Sequence, residues 1–220
     1  MQTSERAFVF HTSLELIRAT DHVARNVKEL LEAILVVEES SLFYHTHRYF
    51  RESPLTGEKY SSDYAQWAID TLREPQLGEK LASIDMHGMK DMEAVRTALT
   101  ACIDGWMSHG CRVRDVPRGT EFYFCKPLNI VMPTKYIAGT LEEFILKLEK
   151  ASINSLYHHI FEARFRLGKN KNDYSSWIEN ALGRPDLANR IDELDFYACT
   201  LDESRKNIIR LINEDGSIKA

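Results

Sequence analysis

Four cysteines, at positions 102, 111, 125 and 199, are all that a chain of 220 residues carries, and no two of them form a C-x-x-C pair. That scatter excludes a zinc knuckle and a disulfide framework, and reads as free thiols in a reducing cytoplasm. Basic runs are missing as well. With a net charge of -5 and no stretch of five basic residues, the chain lacks the electrostatic footprint of a nucleic-acid binder. Long apolar runs are absent too: AILVV, Ala33–Val37, is far too short to span a bilayer. The opening MQTSERAFVF has no basic segment followed by an apolar core, so no signal peptide is expected. There is no Gly-rich phosphate loop, G-x-S-x-G elbow, H-E-x-x-H or cysteine-nucleophile signature. What remains is 44% hydrophobic and 28% charged, the composition of a soluble globular protein.

The sequence is written twice. A shift of 110 lays DYAQWAIDTLREPQLGEKLASID over DYSSWIENALGRPDLANRIDELD, with Asp63/Asp173, Tyr64/Tyr174, Trp67/Trp177, Leu72/Leu182, Pro75/Pro185, Leu77/Leu187 and Asp85/Asp195 identical. A shift of 114 aligns Ser41, Leu42 and His45 with Ser155, Leu156 and His159, and Phe8 and Phe10 with Phe122 and Phe124. The first copy therefore holds four extra residues, where RESPLTGEKYSS faces FRLGKNKN.

Most of each copy reads as helix. Thr140-Leu-Glu-Glu143 and Thr200-Leu-Asp-Glu203 are capping boxes. Behind the first, Leu141, Phe144, Ile145 and Leu148 recur at helical spacing, matching Val27, Leu30, Leu31 and Ile34. Asp63 and Asp173 precede Tyr-x-x-Trp series and suit helix starts, where a carboxylate accepts orphan N–H groups. Trp67 and Trp177 read as core. Only AFVF, Ala7–Phe10, and EFYFC, Glu121–Cys125, have strand composition. The expected fold is all-α: two tandem pseudo-twofold helical repeats, 1–107 and 120–220, joined by a linker at 108–119 and packed as one compact unit, with room for one short β-ribbon made of Ala7–Phe10 and Glu121–Cys125.

Read in order, AFVFHT, SSLFYHTHRYF, LGEKLASID, GTEFYFCKPLNIVMPT, SLYHHIFEARFRLG and NDYSSW resemble the family catalogued as domain of unknown function 5752 over nearly the whole chain. No activity is attached to that family, so the resemblance implies no mechanism. It does imply that Tyr44–Arg48 and His159–Arg164 are distinctive.

Those same stretches carry the candidate site. On a helix His45 and Arg48 share a face, as do His159 and Glu162. One reading is a polar network of His45, Arg48, His159 and Glu162 between the repeats. A second is a pocket for a small anionic ligand, with Arg48 and Arg164 as the clamp, His45 and His159 as donors, Tyr44 or Tyr157 as wall, and His47, His158 and Glu162 as further candidate residues. A third is a divalent metal at His45, His47, His159 and Glu162, although no full ligand motif supports it and no cofactor is expected. With no identifiable nucleophile, the expectation is a non-catalytic binding or interaction protein for a small anionic ligand or a protein partner, with neither nucleic acid nor membrane involved. The alternative is a metal-dependent or histidine-based hydrolase using His45 and His159.

Overall fold

The computed structural model describes residues 7–48, 62–86, 89–110, 113–167 and 171–215. His87, Cys111 and most of the four-residue insertion lie outside them. No helix among the described residues is long and apolar enough to cross a membrane.

The all-α expectation is overturned. Of the described residues 56% are helical and 18% lie in a two-stranded antiparallel sheet, which makes an α+β protein. The strands begin where expected but run far longer: β1 spans Phe8–Ala24 and β2 spans Phe122–Ala138, paired with each other. Their middles escaped notice because they carry little apolar alternation. Leu14, Leu16 and Ile17 in β1 and Leu128, Ile130, Val131 and Met132 in β2 are all exposed, interspersed with Arg18, Asp21, Asn129, Pro127 and Pro133. Proline is tolerated because each strand of a two-stranded ribbon has one edge whose N–H groups need no ladder partner.

Eleven α-helical segments follow from the same local rules. They are α1 (Val27–Val36), α2 (Glu39–His47), α3 (Asp63–Asp70), α4 (Pro75–Ala82), α5 (Met92–Met107), α6 (Leu141–Leu148), α7 (Ile153–Tyr157), α8 (Ala163–Leu167), α9 (Asp173–Leu182), α10 (Pro185–Asp192) and α11 (Leu201–Glu214) among the described residues. A single π-helical turn, His158–Glu162, joins α7 to α8. Thr200 and Glu203 close the expected capping box of α11. Thr140 caps α6, but Glu143 reaches back to the N–H of Gly139 instead of closing the box. The caps of α3 and α9 are Ser62 and Asn172, one residue before the aspartates predicted for that role. This displacement frees both carboxylates.

By contacts the chain forms two compact units, Glu15–Leu128 and Met1–Leu14 with Asn129–Ala220. Each strand thus contributes one half to each unit. In the first unit α3 packs on α4, and α5 lies against α1, α2 and α4. Gly78 sits where α3 and α4 cross, and a Cβ there would stand 2.2 Å from Cγ1 of Ile69. In the second unit α9 packs on α10, and α11 lies against α6, α7 and α10. Phe8, Phe10, Phe144, Tyr174 and Trp177 form the aromatic centre of the second unit, and Phe122, Phe124, Tyr64 and Trp67 that of the first.

Both α3 and α9 end in the same way. The N–H of Glu74 bonds to the carbonyl of Ala68 at 2.9 Å, and that of Arg184 to Ile178 at 3.1 Å, leaving one left-handed residue in each turn. In α9 that residue is Gly183, φ 65°; in α3 it is Arg73, φ 59°. An arginine there costs roughly 1 kcal/mol that glycine avoids.

Candidate functional site

In the Glu15–Leu128 unit, the last turn of α2 presents Tyr44, His45 and Arg48 to the N-terminus of α3 and to the start of β2. Nδ1 of His45 lies 2.7 Å from Oδ2 of Asp63, and Nε of Arg48 donates to Oδ1 of the same carboxylate at 2.8 Å. The backbone N–H of Cys125 donates to Nε2 of His45 at 2.9 Å. A main-chain N–H can only donate, so Nε2 carries no proton and the ring's hydrogen sits on Nδ1, directed at Asp63. His45 is 4% exposed and packed against Tyr64, Phe122 and Phe124. Burial pushes its pKa below the ordinary 6.5, and the opposing pull of Asp63 does not restore it.

The other unit repeats this arrangement with different neighbours. Nε2 of His159 accepts the N–H of His11 at 2.8 Å, Nδ1 lies 2.7 Å from Oδ2 of Asp173, and Nη2 of Arg166 donates to both oxygens of Asp173. Burial again lowers the histidine below 6.5. For Asp173, burial acts to raise the pKa, but the hydrogen bonds from His159 and Arg166 leave it below 3.8. The π-helical turn adds a feature that α2 lacks: His158 Nδ1 meets Oε2 of Glu162 at 2.6 Å, and the Ser13 hydroxyl donates to Oε1 at 3.1 Å. The positions 114 earlier, Tyr44 and Arg48, instead stack, with the guanidinium 5.9 Å from the ring centre.

Arg48 and Glu162 therefore each have a partner within their own unit, Asp63 and His158. Nδ1 of His47 lies 2.7 Å from the Thr46 hydroxyl, and its ring stacks on Phe43 at 4.2 Å. Arg164 places its guanidinium over Phe196 and Tyr197, at 5.1 and 5.6 Å, and Tyr157 lies against Phe161. Trp67 and Trp177 are buried, as their spacing implies.

Of the four residues named for a metal, His45 and His47 belong to one unit and His159 and Glu162 to the other. Ligand atoms of His158, His159 and Asp173 do lie within 4.8 Å of one another. His159 contributes poorly to such a centre: with Nε2 accepting a backbone N–H, a metal on Nδ1 would require an imidazolate. In both rings, Nδ1 and Nε2 are each engaged by a protein group.

The pattern reading missed Asp63 and Asp173 as histidine partners. Their identity at matching places in the two aligned segments was the available signal. It also missed the amides of Cys125 and His11, which no side-chain pattern reveals.

Two cavities open in the Glu15–Leu128 unit, sharing Asp70 and Thr71. One, of about 340 Å³, is lined by Tyr44, His45, Arg48, Asp63, Trp67 and Glu121 among others. The other, of about 480 Å³, includes Arg73, Arg114, Asp115 and Thr120.

These features define an α+β protein built on a long two-stranded ribbon, with a buried His–Asp pair in each of its two units. The chain belongs to the family described as Family of unknown function (DUF5752), whose model matches residues 5–213. It is similar to the solved structure of OrfY from Thermoproteus tenax, at 26% identity over 97% of both chains and a TM-score of 0.82. No curated protein matches it.

Proposed function

We propose that the chain is a non-catalytic binding protein. On this reading the two His–Asp pairs clamp strand to helix, and a small ligand enters the adjoining cavities of the Glu15–Leu128 unit. One observation carries it: both ring nitrogens of His45 and of His159 are engaged by protein groups, and the backbone N–H on Nε2 disfavours the protonated form that acid–base work needs. The hydrolase alternative would need one of those bonds to open. The same bonds speak against a resident metal on these two histidines.

The matched geometry, His45–Asp63 with Cys125 and His159–Asp173 with His11, supports reading the chain as a duplication of one ancestral unit. Cys102, Cys125 and Cys199 are free thiols, which supports a reducing, cytoplasmic setting. The anionic ligand foreseen at Arg48 is better sought nearby, because Arg48 is already bonded to Asp63.

The test is a small-molecule thermal-shift screen on the wild type and on His45→Gln and His159→Gln. The proposal expects a stabilising ligand that both variants still bind, each from a lower starting melting temperature. Turnover of any substrate that is lost in a folded His45→Gln or His159→Gln variant would overturn it.

A further inference from the structure

Arg73 occupies the left-handed turn after α3 where the turn after α9 has Gly183, and it draws no compensation from packing or pairing. The residue is exposed, and its guanidinium has no hydrogen bond or ion pair among the described residues. A non-glycine residue held in this region without local reward points to a role outside folding. What Arg73 does have is a place in the wall of the 480 Å³ cavity, together with Arg114, Thr71 and Thr120.

Arg114 is only partly engaged. Its Nη2 reaches the carbonyl of Leu72 at 3.2 Å and Glu74 at 3.4 Å, both long, and its Nε and Nη1 have no partner among the described residues. Two carboxylates share the cavity. Asp115 accepts from Nδ2 of Asn26 at 2.6 Å, and Asp70 sits at the part common to both cavities. The cavity thus offers two guanidinium groups with open donors and the hydroxyl of Thr71, whereas the Thr120 hydroxyl donates to the carbonyl of Pro117 at 2.8 Å. Paired guanidinium groups with a hydroxyl are a donor set that recognises an oxyanion.

We propose that Arg73 and Arg114 form the oxyanion site of this cavity and bind the phosphate or carboxylate group of a small ligand. This rests on the binding reading above and names the ligand's chemistry. The strained backbone at Arg73 is retained because glycine, which would relax the turn, has no guanidinium to offer.

That trade gives a test in which folding and binding move in opposite directions. Melting temperatures of wild type, Arg73→Gly and Arg114→Gln are measured in chloride, and then with sodium phosphate or sodium succinate at matched ionic strength. The wild type gains about 2–4 °C with an oxyanion present, and the stronger of the two arms identifies phosphate or carboxylate. Arg73→Gly melts higher than wild type in chloride yet loses the oxyanion response, and Arg114→Gln loses the response with little change in chloride. An unchanged response in both variants overturns the site, as does a wild type indifferent to both anions. A screen hit without an anionic group, bound equally by wild type and Arg73→Gly, would sink the oxyanion site and leave the binding reading standing.

Discussion

The main-chain N–H of Cys125, on β2, donates to Nε2 of His45, on α2, at 2.9 Å. That single bond sets the tautomer of a buried imidazole, directs its one proton to Asp63, and ties strand to helix. His11 and His159 stand in the same relation in the other unit at 2.8 Å.

Removing either histidine leaves a buried amide and a carboxylate without their shared partner, and a gap among aromatic rings. His45→Ala and His159→Ala should each destabilise by about 2–4 kcal/mol, read as a lower urea midpoint with an unchanged slope. A loss under about 0.5 kcal/mol would show that the clamp contributes little.

Stability should fall as the pH drops below 6.5. Folded His45 and His159 titrate below that value, whereas in the unfolded chain they titrate near it. Above 6.5 both states are neutral and the contribution is complete. Below it the unfolded chain takes up protons that the folded chain refuses, at about 1.4 kcal/mol per pH unit per histidine. Urea midpoints measured down this range should flatten in a His45→Gln/His159→Gln double variant. A slope unchanged by the double substitution would assign the effect to other groups. Asp173 acts in a separate window, its contribution being lost only as the pH falls below 3.8.

The hydroxyls of Tyr64 and Tyr174 are fully buried and have no hydrogen-bond partner among the described residues. Tyr64→Phe and Tyr174→Phe remove an unsatisfied polar atom and keep the ring contacts, so each should change stability by less than about 0.5 kcal/mol or raise it. A loss of more than about 1.5 kcal/mol would reveal a partner such as a bound water.

Gly78 holds α4 close to α3. Gly78→Ala should cost about 1–3 kcal/mol by forcing Cβ into Ile69, and Ile69→Ala in the same chain should recover part of the loss. The comparison is a double-mutant cycle of denaturation midpoints, and additive losses would contradict the contact.

Where local chemistry governs, the structure was legible in advance. The Thr200–Glu203 box, the start of each strand at paired phenylalanines, and the buried Trp67 and Trp177 all follow from short-range pattern. The length of the ribbon does not, because its middle is held by backbone pairing while Leu16, Ile130 and their neighbours face outward. His45 and His159 stood out as residues, but their partners did not. The bonds from Cys125 and His11 are main-chain bonds across 80 and 148 positions, and a backbone N–H has no letter in the sequence. Asp63 and Asp173 were visible but given a local role, helix capping, that Ser62 and Asn172 perform.

The most direct test of the clamp is imidazole ¹⁵N NMR of the wild-type protein, with the signals of His45 and His159 assigned through the two glutamine variants and followed as the pH is lowered. The account predicts both rings in the neutral form protonated on Nδ1, holding that form after an exposed histidine has become charged. A ring protonated on Nε2, or one that charges at the ordinary histidine pH, would mean the amide bond is open and the imidazole is free to take part in chemistry.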